Sequence, residues 1–130
     1  MAEFKANLEE MNRALDQIAA GPSNRPLLDT LYRDAHNLKG GANALGFLRL
    51  GDFLRQIEVS FEPARKRGEP FTPDLAIALK HAFSVLENAV KEAERNKSDA
   101  LLDFSAAAER LKSALAKGSA ESGQNPSRLA

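Results

Sequence analysis

From Pro26 to Gly46 the chain reads PLLDTLYRDAHNLKGGANALG. Within this stretch Leu28, Leu31, Ala35, Leu38, Ala42 and Leu45 recur at alternating steps of three and four, the spacing that lines up side chains on one face of an α-helix. Pro26 suits the first turn of such a helix, where a missing N–H costs nothing, and Ser23-Asn24-Arg25 supplies a polar start. Gly46 is placed to stop it. The spacing predicts a helix over 26–45. At 100° per residue, His36 lies roughly 140° from the centre of the apolar stripe and is expected to face solvent.

The flanking sequence has the same character. Phe4, Leu8, Met11, Leu15 and Ile18 mark a first helix over 3–20, ended by Gly21-Pro22. A third helix takes up near Phe47 with Leu50, Leu54, Ile57, Phe61 and Ala64 facing inward, and Pro63 is expected to kink or loosen its last turns. Gly68-Glu69-Pro70 reads as a loop. Thr72-Pro73-Asp74 is a cap, a first-turn proline and a first-turn acid, opening a fourth helix that runs to about Arg95. A fifth is expected over 99–116, on Leu101, Phe104, Ala108, Leu111 and Leu115. No stretch alternates with period two, so strands find no support. The expected fold is all-α, an antiparallel up-and-down four-helix bundle with a fifth helix packed outside. It occupies 1–117, and the small, polar residues 118–130 read as a disordered tail or linker.

Composition narrows the function. A chain of 130 residues is one domain's worth. Lys+Arg and Asp+Glu are equal at 18 each, so there is no basic field of the kind that neutralises phosphates, and no nucleic-acid partner is expected. The chain has no Cys, which excludes disulfides, thiolate metal sites and cysteine catalysis and suits a cytoplasmic protein. No apolar run approaches the roughly 20 residues of a membrane span, and no membrane association is expected.

Chemistry could gather around His36. Tyr32 and Arg33 stand one turn before it, Lys39 and Gly40 one turn after, and Asn43 a turn further. A glycine inside a helix costs roughly 1 kcal/mol relative to alanine, and Gly40-Gly41 doubles that. Gly40 leaves the imidazole bare on one side, and Lys39 could stabilise negative charge gained by the ring. Two readings fit: a reactive platform, or an ordinary surface histidine beside a helix break. His81 falls on the outer face of its helix with no acid or base in register. Arg33 and Ala78 occupy the positions three before the histidines, so the Glu-x-x-His spacing of a di-iron bundle is missing. No phosphate-binding loop is present either.

The run Ala35-His36-Asn37-Leu38-Lys39-Gly40-Gly41-Ala42-Asn43-Ala44-Leu45-Gly46-Phe47 resembles the histidine-phosphotransfer (HPt) domains of two-component signalling, whose signature is H-x-x-K-G with a further glycine downstream. More narrowly, it is similar to the N-terminal phosphotransfer domain of CheA-type chemotaxis kinases. That pattern is matched by Leu28, Tyr32, Arg33, His36, Lys39, Gly40, Gly41, Ala42, Gly46 and Phe47, and the resemblance extends over about Phe4 to Leu115. It implies that His36 is the phosphoacceptor, attacking the γ-phosphate of ATP through Nε2. It also implies that a Glu on the third helix holds the Nδ1 proton, and Glu58 occupies the matching position. Helix geometry agrees, placing Glu58 roughly 75° from the stripe of its own helix. Lys39 would complete the network. Where CheA proteins often carry a second histidine, this chain has Arg55, which could offer charge to the phosphoryl group.

With no ATP-binding motif of its own, the domain is expected to receive phosphate from a histidine kinase catalytic domain and to pass it to an Asp of a CheY-type receiver. ATP would sit on the kinase and Mg²⁺ on the receiver, leaving this chain without a cofactor of its own. Tyr32, Gly40, Asn43 and Arg55 are candidate docking residues. A free-standing phosphorelay protein and a helical adaptor without chemistry are the alternatives.

Overall fold

The computed structural model describes residues 2–20, 25–68 and 71–123. Among them all the regular structure is helical: α1 (Ala2–Ala20), α2 (Arg25–Ala44), α3 (Leu48–Ser60), α4 (Glu62–Arg67), α5 (Pro73–Asn96) and α6 (Ser105–Gly123). α1 packs on α2, α2 on α3, α3 on α5 and α5 back on α1, closing a four-helix bundle, while α6 lies outside against α5 and α3. The apolar stripes read from the sequence meet at its axis. Met11, Leu15, Leu31, Leu50, Leu54, Ile57, Leu79 and Leu86 are all fully buried there, with Phe53, Phe61 and Phe83 filling the spaces between layers.

The termini follow their local chemistry. Thr72 caps α5 as expected, its hydroxyl accepting the Leu75 N–H at 3.1 Å. Gly46 adopts φ +84° and ends α2, the left-handed conformation glycine alone takes without strain. The Gly21-Pro22 stop and the Ser23-Asn24 start lie outside the described residues.

Four expectations need correcting. Leu45 is not part of the α2 core stripe: the helix ends one residue earlier, and Leu45 stands exposed in the turn. The third helix is two. Proline has no N–H to continue the ladder, so Pro63 ends α3 at Ser60 and begins α4 in its own first turn, with Phe61 between them bonding back to Glu58 and Val59. The last helix begins at Ser105, not Asp99. Asp99 is committed elsewhere: its buried carboxylate accepts the Leu50 N–H at 2.9 Å and caps α3, whose own cap residue Phe47 offers no side-chain bond. Leu101 is consequently 88% exposed in the connecting loop, and Ala107, Leu111 and Ala114 form the buried face of α6. Finally, α6 continues through Gly123, beyond the helix end expected at 116, and 124–130 lie outside the described residues.

Candidate functional site

α2 and α3 run antiparallel, and two contacts fix their register. Asn43 lies against Gly51, where an added Cβ would meet the Asn43 side chain. Seven residues along each helix, His36 faces Glu58. A Cβ at Gly51 would require the end of the exposed Asn43 side chain to move aside. Gly40 and Gly41 are different: neither has a positive φ, and a Cβ on either would meet nothing within 4 Å. Packing inside the domain gives no reason for two glycines in mid-helix.

The imidazole of His36 projects outward, its side chain 60% exposed, while Glu58 beneath it is only 6% exposed. His36 Nδ1 lies 2.7 Å from Glu58 Oε2, and Lys39 Nζ donates to Glu58 Oε1 at 2.8 Å. One buried carboxylate therefore joins two residues a turn apart on the neighbouring helix. Burial by itself would raise the Glu58 carboxyl, but the bonds and charges of Lys39 and His36 outweigh it and hold the group below its ordinary 4.5. Glu58 is ionised at neutral pH and can only accept, so the shared proton belongs to Nδ1. That leaves the lone pair on Nε2, the nitrogen facing away from the protein.

The remaining predicted residues surround this core. Tyr32, one turn before His36, presents its ring nearly parallel to the imidazole, at 12° with centroids 6.5 Å apart. Gly40, one turn after, leaves that side open. Arg55 is exposed on α3 one turn before Glu58, on the stretch facing α2 between the two register contacts. Asn43 is the residue seated on Gly51. His81 is half-buried on α5, apart from this cluster. Among the described residues no group of three or more His, Asp or Glu side chains is arranged to hold a metal ion.

Two residues near the site escaped sequence reading. Asp34, two before His36, is 2% exposed at the α1–α2 contact, with Oδ2 unpartnered. Burial first, then the Glu10 carboxyl bonded to it, push its pKa up to about 7, with Arg33 at 3.8 Å partly opposing. Its signal was available: position 34 is three after Leu31 and four before Leu38, on the apolar stripe. Arg65 gave no such signal. Its guanidinium lies over the Tyr32 ring, 4.1 Å from the centroid, where α4 packs against α2.

A family model described as the Hpt domain matches residues 1–91. The chain belongs to the Hpt domain family. This Hpt domain is 29% identical over 72 residues to the chemotaxis protein CheA of Halobacterium salinarum, a match covering 55% of the chain and 11% of that protein's length. Its fold is also similar, with a TM-score of 0.68, to a crystal structure of the phosphorylated P1 domain of CheA3 in complex with CheY6 from R. sphaeroides. There the two chains are 19% identical, with 89% of this chain and 97% of the other aligned. Among the described residues of the Hpt domain, no helix is long and apolar enough to cross a membrane.

Proposed function

We propose that this Hpt domain carries phosphoryl groups on His36 within a CheA-like chemotaxis pathway in the cytoplasm, between an ATP-binding kinase domain and a CheY-type receiver. The kinase domain lies on the same parent polypeptide or on another. The observation that carries the proposal is the pairing of an outward Nε2 lone pair with a buried carboxylate on Nδ1–H. In the first step Nε2 forms a bond to the γ-phosphorus of ATP as the bond to the bridging oxygen breaks, and ADP leaves with the electron pair. The ring gains positive charge as its lone pair is used, and Glu58, ionised and in contact with Nδ1–H, stabilises it. In the second step a receiver carboxylate oxygen attacks the phosphorus, the N–P bond breaks, and the electron pair returns to Nε2. Lys39 holds Glu58 from the other side and adds a cation beside the incoming phosphoryl oxygens.

The exposure of His36, the open side left by Gly40 and the Gly40-Gly41 pair without an internal packing role all support a large partner approaching this face. Tyr32, Asn43 and Arg55 border that approach. Incubating the domain with a CheA-type kinase domain and γ-labelled ATP, then adding a CheY-type receiver, tests the reading. Label should appear on the domain, survive alkali, be lost in acid, and move to the receiver. A domain that takes label but never yields it to any of a panel of receivers would overturn the second step.

A further inference from the structure

The Nδ1–Glu58 hydrogen bond anchors one atom of the His36 ring and leaves the ring free to pivot about that contact. Setting the direction of Nε2 takes a second constraint. Tyr32 supplies a neighbour on the α2 N-terminal side, nearly parallel to the imidazole, and Gly40 supplies none on the other. Tyr32 is itself half-buried at the surface and needs something to hold its ring. Arg65 lies over that ring, and its Nε donates to Asp29 Oδ1 at 3.0 Å. The Arg65 side chain is 28% exposed, so the stack is partly shielded from water, where a cation–ring contact is stronger than at an open surface. Asp29 is seven residues before His36, about 10 Å along the helix. Its tie draws the guanidinium toward the far side of Tyr32.

We infer that Arg65 is a positioning residue for phosphoryl transfer: clamped by Asp29, it fixes the Tyr32 ring, which in turn sets the plane of the His36 imidazole. The inference rests on the reading of His36 as phosphoacceptor. The placement continues the register of the site: Asn43–Gly51, His36–Glu58 and Asp29–Arg65 succeed one another at seven-residue steps along α2 and the antiparallel α3–α4 segment. In-line attack depends on the direction of the attacking lone pair, so a loosened ring should slow the chemical step without changing how partners bind.

The test uses the 130-residue chain as wild type, Arg65→Gln, Arg65→Lys, Tyr32→Leu and the Arg65→Gln/Tyr32→Leu double variant. The kinetic probe is a CheA-type kinase domain with labelled ATP, treating this chain as substrate. Arg65→Gln should lower kcat about three- to tenfold with KM nearly unchanged, and Arg65→Lys should recover part of the loss. The double variant should be no slower than Tyr32→Leu alone, because Arg65 acts through Tyr32. In proton NMR, the ring-current shift that Tyr32 imposes on the His36 ring protons should vanish in Tyr32→Leu and shrink in Arg65→Gln. An unchanged kcat in Arg65→Gln, a rise in KM alone, or fully additive losses would overturn the inference. If the wild type takes no label, the phosphoacceptor reading fails and NMR decides the inference by itself: His36 shifts identical in wild type and Arg65→Gln overturn it.

Discussion

Replacing Gly40 by alanine should make this domain more stable and less active. Gly40 sits in the interior of α2, its φ is not positive, and a Cβ there meets nothing within 4 Å. Nothing offsets the gain in helix propensity, which is about 0.8–1 kcal/mol for Gly→Ala at an exposed interior position. With an unfolding entropy of roughly 2.1 cal/mol/K per residue, 1 kcal/mol in a domain of this size raises Tm by about 4 °C. The same methyl group stands one turn from His36, on the side opposite Tyr32. A misplacement of about 1 Å in a reacting pair can cost about 10²-fold, so the rate of phosphorylation by a kinase domain should drop by about tenfold or more, and further in Gly40→Leu. Thermal unfolding followed by circular dichroism and initial rates of label uptake measure both effects on one sample. A higher Tm with an unchanged rate would refute the claim that Gly40 is there for access. A lower Tm would refute the statement that no internal packing requires it.

Three other perturbations follow from the same geometry. Glu58→Gln keeps the shape of the side chain but removes the charge that stabilises the phosphorylating ring, so the label-uptake rate should fall by about 10²-fold with helicity retained; an unchanged rate would remove Glu58 from the mechanism. Because the folded-state value of Glu58 lies below its ordinary 4.5, its contribution to stability is complete above that pH and is lost as pH falls through the folded value; Glu58→Gln should flatten that acid limb in urea titrations. Asp34 behaves oppositely. Its pKa is raised from 3.8 to about 7, so the folded state holds a proton that the unfolded chain has released, and stability declines as pH rises between those values. The decline amounts to at most roughly 4 kcal/mol, and denaturant midpoints of Asp34→Asn should be nearly flat over that window. Asp99→Ala deprives the buried Leu50 N–H of its acceptor and should cost about 1–2 kcal/mol, whereas Asp99→Asn, which retains an oxygen, should cost less.

The parts of the fold governed by local rules were legible in the sequence. The phase of Leu28, Leu31, Ala35, Leu38 and Ala42 places His36 in solvent, and Thr72-Pro73-Asp74 starts α5 where a cap, a missing N–H and a first-turn charge should start it. Glu58 sits at the flank of α3, where its angle from Leu54 and Ile57 puts it, though its near-complete burial depends on the packing of α3 against α2. What was illegible depends on long-range partners. Asp99 looks like the start of a helix until the unsatisfied N–H of Leu50, forty-nine residues earlier, is there to claim it. Arg65 is an ordinary basic residue near the end of a helix until the packing of α4 on α2 lays it on Tyr32. Periodicity also hides exceptions within a stripe. Asp34 occupies an apolar position, and only its contact with Glu10 across the α1–α2 interface shows how the charge is avoided.

The central claim is that one nitrogen, Nε2 of His36, takes the phosphoryl group while Nδ1 keeps its proton on Glu58. Nitrogen-15 NMR of the phosphorylated, ring-labelled domain reads this directly. The account predicts phosphorus coupling at Nε2 of His36, a proton still bonded at Nδ1, and no phosphorylated species in His36→Gln. Phosphorus on Nδ1, on His81, or persisting in His36→Gln would contradict it.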